Sequence, residues 1–135
     1  MTATAPAKPL PFTLKDWAVT EEKIIEAVER IIAVANPLKI IAFGSRARGD
    51  FRPESDLDLA VIVDHLDPDA PRPVTRSTLG GVIMPIDLLV FGREQYDQFS
   101  GCINSVQNEI EREGIVLYDR QRERSANRSA ARNIV

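Results

Sequence analysis

At 135 residues the chain has the length of one domain, enough to bury roughly two thirds of the surface its unfolded form exposes. With 44% hydrophobic and 27% charged residues it is neither disordered nor fibrous in composition, and a net charge of -3 argues against a general polyanion binder. Cys102 is the only cysteine, which excludes an intramolecular disulfide and a cysteine-based zinc cluster, and no apolar run approaches the ~18 residues of a membrane span or reads as a signal peptide, so a cytoplasmic protein is expected.

Residues 1–19 are proline-rich and aperiodic, which predicts an extended arm, with Phe12, Leu14 and Trp17 as apolar anchors. Thr20 then offers an N-cap, Glu21 and Glu22 suit the positive end of a helix dipole, and Ile24, Val28, Ile31, Ile32 and Ala35 form a stripe at helical spacing that Asn36-Pro37 ends. "LKIIAF" (38–43) has the profile of a buried strand. Ser45 to Gly49 has room for a turn or two of helix, and "LDLAVIV" (57–63) reads as a second strand. The polar, proline-rich stretch 64–81 is a long loop with at most one helical turn. "VIMPIDLLVF" (82–91) is a third strand, in which Pro85 demands an edge position or a bulge. Tyr96, Phe99, Ile103, Val106 and Ile110 recur at three and four, predicting one amphipathic helix from Arg93 to Glu113 with Cys102 as a small core residue; "IVLY" (115–118) adds a short strand. The tail 119–135 holds five arginines and few apolar residues, and reads as a frayed helix or a disordered stretch, solvated or in contact with an acidic partner or RNA. The order predicts an α/β domain over residues 20–118, a small mixed sheet covered by helices.

The stretch "GSRARGDFRPESDLDLAVIV" (44–63) does not look like packing alone. In a strand, Asp56 and Asp58 share a face, ~6.6 Å apart along the chain. Carboxylates so placed repel, and bringing them out of water is costly unless a cation accompanies them. Magnesium suits such a pair, because it takes a few carboxylate oxygens and fills its remaining positions with water and phosphate. Asp87 lies inside the apolar run "MPIDLLVF", and if the second and third strands are neighbours all three acids meet, with capacity for two metal ions. Gly44 and Ser45 directly follow a strand, where a glycine turn and free N–H groups make an anion site, and Arg46 and Arg48 add guanidinium groups suited to phosphate oxygens.

These residues, a G-S-x-A-R-G followed by S-D-x-D-L-x-V, resemble the minimal nucleotidyltransferases, the MNT-type antitoxins, of the DNA polymerase beta-like superfamily, over roughly residues 20–118. The resemblance implies a polymerase beta-like nucleotidyltransferase fold and a magnesium-dependent transfer of AMP from ATP, pyrophosphate leaving. By motif, Asp56 and Asp58 would hold both Mg2+ ions, and Asp87 would complete one site and help activate an acceptor hydroxyl. Gly44 and Ser45 would cradle the β- and γ-phosphates, with Arg48 neutralising charge beside them. Many such domains pair with HEPN-type toxins and adenylylate a tyrosine of that partner. The rival readings are an antitoxin that neutralises its toxin by masking, and a small-molecule nucleotidyltransferase completed by another subunit.

The other polar residues read as scaffold. Arg46 is expected as a solvated surface charge, Asp50, Arg52 and Glu54 as solvating loop residues, Ser55 as a turn cap, and His65 as a loop residue rather than a base or ligand.

Overall fold

The computed structural model describes residues 16–135. Helix α1 (Glu21–Ala35) starts where Thr20 Oγ1 accepts from Lys23 N at 3.2 Å and stops at Asn36, which turns left-handed (φ 43) ahead of Pro37. Its buried face is Ile24, Ala27, Val28 and Ile31. Lys23 Nζ also donates to the carbonyls of Asp16 and Ala18, tying the incoming chain to the first turn. Phe12 and Leu14, expected to anchor an arm, lie outside the described residues; Trp17 is exposed.

The chain continues through β1 (Lys39–Phe43), the single turn α2 (Ser45–Arg48), β2 (Leu57–Val63), a 3-10 turn (Arg76–Leu79), β3 (Ile86–Gly92), α3 (Arg93–Ser100), α4 (Val106–Glu113), β4 (Ile115–Asp119) and α5 (Arg128–Arg132). The sheet order is β3-β2-β1-β4. β1 runs antiparallel to β2 and β4, while β2 and β3 run parallel, so the sheet is mixed, as expected. Pro85 stands just before β3, an edge strand, where its missing N–H breaks no ladder bond and its carbonyl accepts from Leu57 N at 2.9 Å.

Alternation along the strands builds two cores. Ile40, Ala42, Leu57, Leu59, Val61 and Leu117 pack under α1 and α5, while Ile41, Phe43, Ala60, Ile62 and Phe91 pack with Tyr96 of α3 and Ile110 of α4. Side chains such as Ile40, Leu59 and Val61 are wholly buried, each worth about 1.5–3 kcal/mol of transfer free energy. Tyr96 keeps its hydroxyl satisfied by donating to Glu111 Oε2 at 2.7 Å.

Two expectations are corrected. The single helix from Arg93 to Glu113 is two helices joined by a tight corner, with Asn104 left-handed (φ 71) and Ile103 84% exposed. Ser105 makes the break: its hydroxyl sits 2.7 and 2.8 Å from the carbonyls of Phe99 and Cys102, and its oxygen caps α4 by accepting from Asn108 N at 3.0 Å. Of the five residues of the expected stripe only Tyr96 and Ile110 are buried against the sheet; Phe99, Ile103 and Val106 are exposed around the corner. Cys102, expected in the core, is exposed on that corner.

The tail is also ordered. Asn127 Oδ1 caps α5, and Ala130, Ala131 and Ile134 are buried against α1 and the sheet. Its arginines find acids on the body: Arg120 donates to both oxygens of Asp64 (2.8 and 2.9 Å), and Arg128 and Arg132 flank Glu21 at 3.3 and 3.4 Å. The hydrogen bond from Arg132 holds the Glu21 carboxyl below its ordinary range. Three small or aliphatic side chains at helical spacing were enough to dock a segment whose average composition reads as disordered. No described helix is long and apolar enough to cross a membrane.

Candidate active site

Register brings the acids together. Asp58 of β2 is the cross-strand partner of Phe43 on one side and of Asp87 on the other, so the end of β1, the Gly44 turn and the third aspartate all converge on it. Asp56, two residues back, shares its face. Asp58 is half-buried, whereas Asp56 and Asp87 are exposed. Burial, followed by the charges of Asp87, Asp56 and Glu109 and opposed by Arg48, pushes the Asp58 carboxyl up to about 6.

Gly44 is required twice over. Its backbone (φ 74, ψ -156) lies where side chains are strained, and a Cβ there would meet Asp58 Oδ2 at 2.3 Å. The turn passes directly over the carboxylate because it carries no side chain. Ser45 opens α2, so the N–H groups of its first turn have no partner within the helix. Arg48 stands at the rim, 3.3 Å from Asp50 and 3.5 Å from Glu113.

Arg46 corrects an expectation. Instead of a solvated charge it is 2% exposed, its Nε donating to Ser55 O (3.1 Å), Nη1 to Ile134 O (3.0 Å) and Nη2 to Pro53 O (3.1 Å), with its guanidinium 4.5 Å from the centre of the Phe51 ring. One planar fork gathers the carbonyls of an irregular loop that has no ladder of its own, and so fixes residues 51–55 immediately ahead of Asp56. Ser55 does act as a turn cap, accepting from Arg52 N at 2.9 Å.

Two residues were missed. Glu109 adds a fourth carboxylate to the field of Asp58 from the first turn of α4. Arg76 binds Ile86 O at 2.9 Å and stands 3.6 Å from Asp87, holding the third acid from outside the sheet. No sequence signal marks either one, since both are brought in by chain segments distant from the motif. His65 is exposed, in a loop at the other end of β2. That end also carries a hollow lined by Leu38, Lys39, Ile62 and Tyr96, away from the acids.

Among the described residues no three His, Cys, Asp or Glu side chains close into a ready-made metal cage. The donor set nevertheless suits a hard divalent ion that needs few protein ligands. It consists of carboxylate oxygens only, and the central one is held in a field of like charge that a cation would relieve.

A glycine turn laid over a D-x-D strand, with a third aspartate in register on the parallel neighbour, defines a nucleotidyltransferase-type domain. The family described as polymerase beta, nucleotidyltransferase matches residues 22–123, and the chain belongs to it. A search of curated proteins finds no significant match. Among solved structures, one from Sulfolobus solfataricus, presented as a candidate nucleotidyltransferase, is similar at 18% identity and a TM-score of 0.54, covering 79% of this chain and 85% of that one. At that identity the likeness speaks for the fold.

Proposed function

We propose that this chain is a nucleotidyltransferase that moves AMP from ATP to a hydroxyl of a partner protein, acting as the antitoxin of a HEPN-type toxin whose tyrosine is the acceptor. The observation that carries the transferase reading is Asp58 in register with Asp87 under the side-chain-free turn at Gly44. The exposure of Asp87 on an edge strand supports an acceptor that arrives from outside.

Asp56, Asp58 and Asp87 would hold Mg2+, up to two ions, which when bound offsets the charge of the triphosphate. The turn at Gly44 and Ser45 binds the β- and γ-phosphates through its N–H groups, and Arg48 neutralises charge at their side. Asp87 accepts the proton of the acceptor hydroxyl. The acceptor oxygen bonds to the α-phosphorus as the bond to the bridging oxygen breaks, and pyrophosphate leaves with that electron pair. The first turn of α2 thus orients the nucleotide, while β3 presents the acceptor.

The test is incubation with ATP, magnesium and any HEPN-type protein found encoded beside this chain, followed by intact-mass measurement. One or more adenylyl groups should be added, and none by the Asp56→Asn, Asp58→Asn double variant. An unchanged partner mass, with full neutralisation by the double variant, overturns the catalytic reading in favour of masking.

A further inference from the structure

β3 is an edge strand of the sheet. The bond from Leu57 N–H to Pro85 O sets the parallel ladder, so Asp87 and Leu89 turn their backbone groups toward β2, while Ile86, Leu88 and Val90 turn theirs outward. Arg76 takes up Ile86 O; among the described residues no hydrogen bond reaches the outward N–H and C=O groups of Leu88 and Val90. The opposite edge differs, because α5 packs beside β4 and Asn127 N–H closes on Leu117 O at 2.7 Å. The run after Pro85, "IDLLVFG", holds none of the lysines or prolines that commonly guard an edge.

Alongside this edge runs a hollow of about 360 Å3, lined by Arg72, Val74, Thr75 and Arg76 on one wall and by Asp87 to Val90 on the other. Arg72 makes no ion pair or hydrogen bond among the described residues, so one unspent guanidinium faces a free strand edge that begins at the third acid. We propose that this groove docks the acceptor: an extended, acidic peptide segment of the partner protein that adds as a strand beside Leu88 and Val90, sets a carboxylate on Arg72 and brings a hydroxyl side chain to Asp87. The backbone groups supply affinity and Arg72 supplies the preference for acidic sequence. A single-stranded RNA could use the arginine but not the backbone groups of the strand edge. The docking itself stands on the groove alone; only the hydroxyl at Asp87 rests on the nucleotidyl-transfer reading.

The test uses the full chain, labelled with 15N, and three probes: a short peptide alternating Glu and Val around one Tyr, the same peptide with Lys for Glu, and an oligo-A RNA. The acidic peptide should shift the Leu88 and Val90 amide signals and slow their hydrogen exchange, and the Lys peptide should not. Arg72→Glu, an exposed substitution that leaves the fold alone, should weaken the acidic peptide at least tenfold and leave ATP binding unchanged. Equal binding by Arg72→Glu, shifts confined to other elements, or occupation by the RNA in place of the peptide overturns the proposal. So does concentration-dependent protection of Leu88 and Val90 without peptide, which would show a second copy seated there. ATP titrated separately keeps the two readings apart: peptide binding without nucleotide binding removes the transferase assignment and leaves the groove, and the converse removes the groove alone.

Discussion

Replacing Asp58 by asparagine should make the metal-free protein more stable at neutral pH. The Asp58 carboxyl is pushed from 3.8 to about 6, chiefly by burial and then by Asp87, Asp56 and Glu109. A raised folded value means that the folded chain holds this proton more tightly than the unfolded chain does. Stability is therefore greatest below the unfolded pKa and is lost as pH climbs through about 6. Two units at about 1.36 kcal/mol each set an upper value of about 3 kcal/mol; because Asp56 and Asp87 are exposed and salt screens their repulsion, about 2 kcal/mol is the figure expected.

Asparagine has nearly the same shape and no charge, so Asp58→Asn should recover that amount at pH ~7.5, a rise in Tm of about 6–8 °C for a domain of this size. Near pH ~4.5 the gain should shrink to roughly a third, since the folded Asp58 carboxyl then already holds its proton and carries no charge to relieve. Thermal melts of both proteins in chelator at the two pH values provide the measurement, and taking their difference cancels the titration of every other group. Added magnesium should raise the wild-type Tm and leave the variant nearly unmoved. A gain of the same size at both pH values, or a loss at neutral pH, would refute the repulsion and mark Asp58 as a structural acid.

Gly44→Ala should cost about 1–3 kcal/mol through backbone strain and abolish Mg-ATP binding, because its Cβ points at Asp58 Oδ2; calorimetry that finds ATP binding intact would remove the close approach from the mechanism. Arg46→Met should destabilise by about 3 kcal/mol or more in urea melts, leaving the carbonyls of Pro53, Ser55 and Ile134 without their donor, and Arg46→Lys should not rescue it, since one ammonium cannot span that set. Ile134→Ala should cost about 2–4 kcal/mol although it lies one residue from the last, and a shift near zero would mean that the C-terminal segment is not held in the core in solution.

The elements of the sheet were legible because each strand is a short β-branched run bounded by Pro, Gly or Asp, and burial on one or both faces leaves that pattern in the sequence. α1 was legible from its cap and stripe together. The corner at 101–105 was not, because hydrophobic spacing reports which face is covered and not whether the backbone between two covered turns is continuous. Gly101, Asn104 and Ser105 carried the local signal, a helix stop, a left-handed residue and a cap in mid-pattern, and such residues are informative only once a break is suspected. The tail misled for the opposite reason: Ala130, Ala131 and Ile134 are too few to move an average dominated by arginine, yet they suffice to dock one turn whose charges find Glu21 and whose neighbour Arg120 finds Asp64.

The candidate site divides along the same line between local and tertiary information. Gly44, Ser45, Asp56 and Asp58 belong to one continuous stretch, and their meeting follows from a strand, a turn and an antiparallel return. Asp87 was readable as an acid out of place in an apolar run, and the parallel register at Asp58 gives that misplacement its reason. The two arginines of the same stretch were read the wrong way round for burial, because spacing on a helix assigns faces only when the helix is long enough to have them, and α2 is a single turn. What decided between them was the surroundings. Arg46 faces an irregular loop rich in unpaired carbonyls, which the guanidinium satisfies even though burial disfavours its charge, whereas Arg48 stays at the exposed rim, paired with Asp50 and Glu113. The burial of one arginine therefore positions the loop that leads into Asp56, and the exposure of the other leaves a cation at the rim of the acid cluster, where the proposed nucleotide would lie.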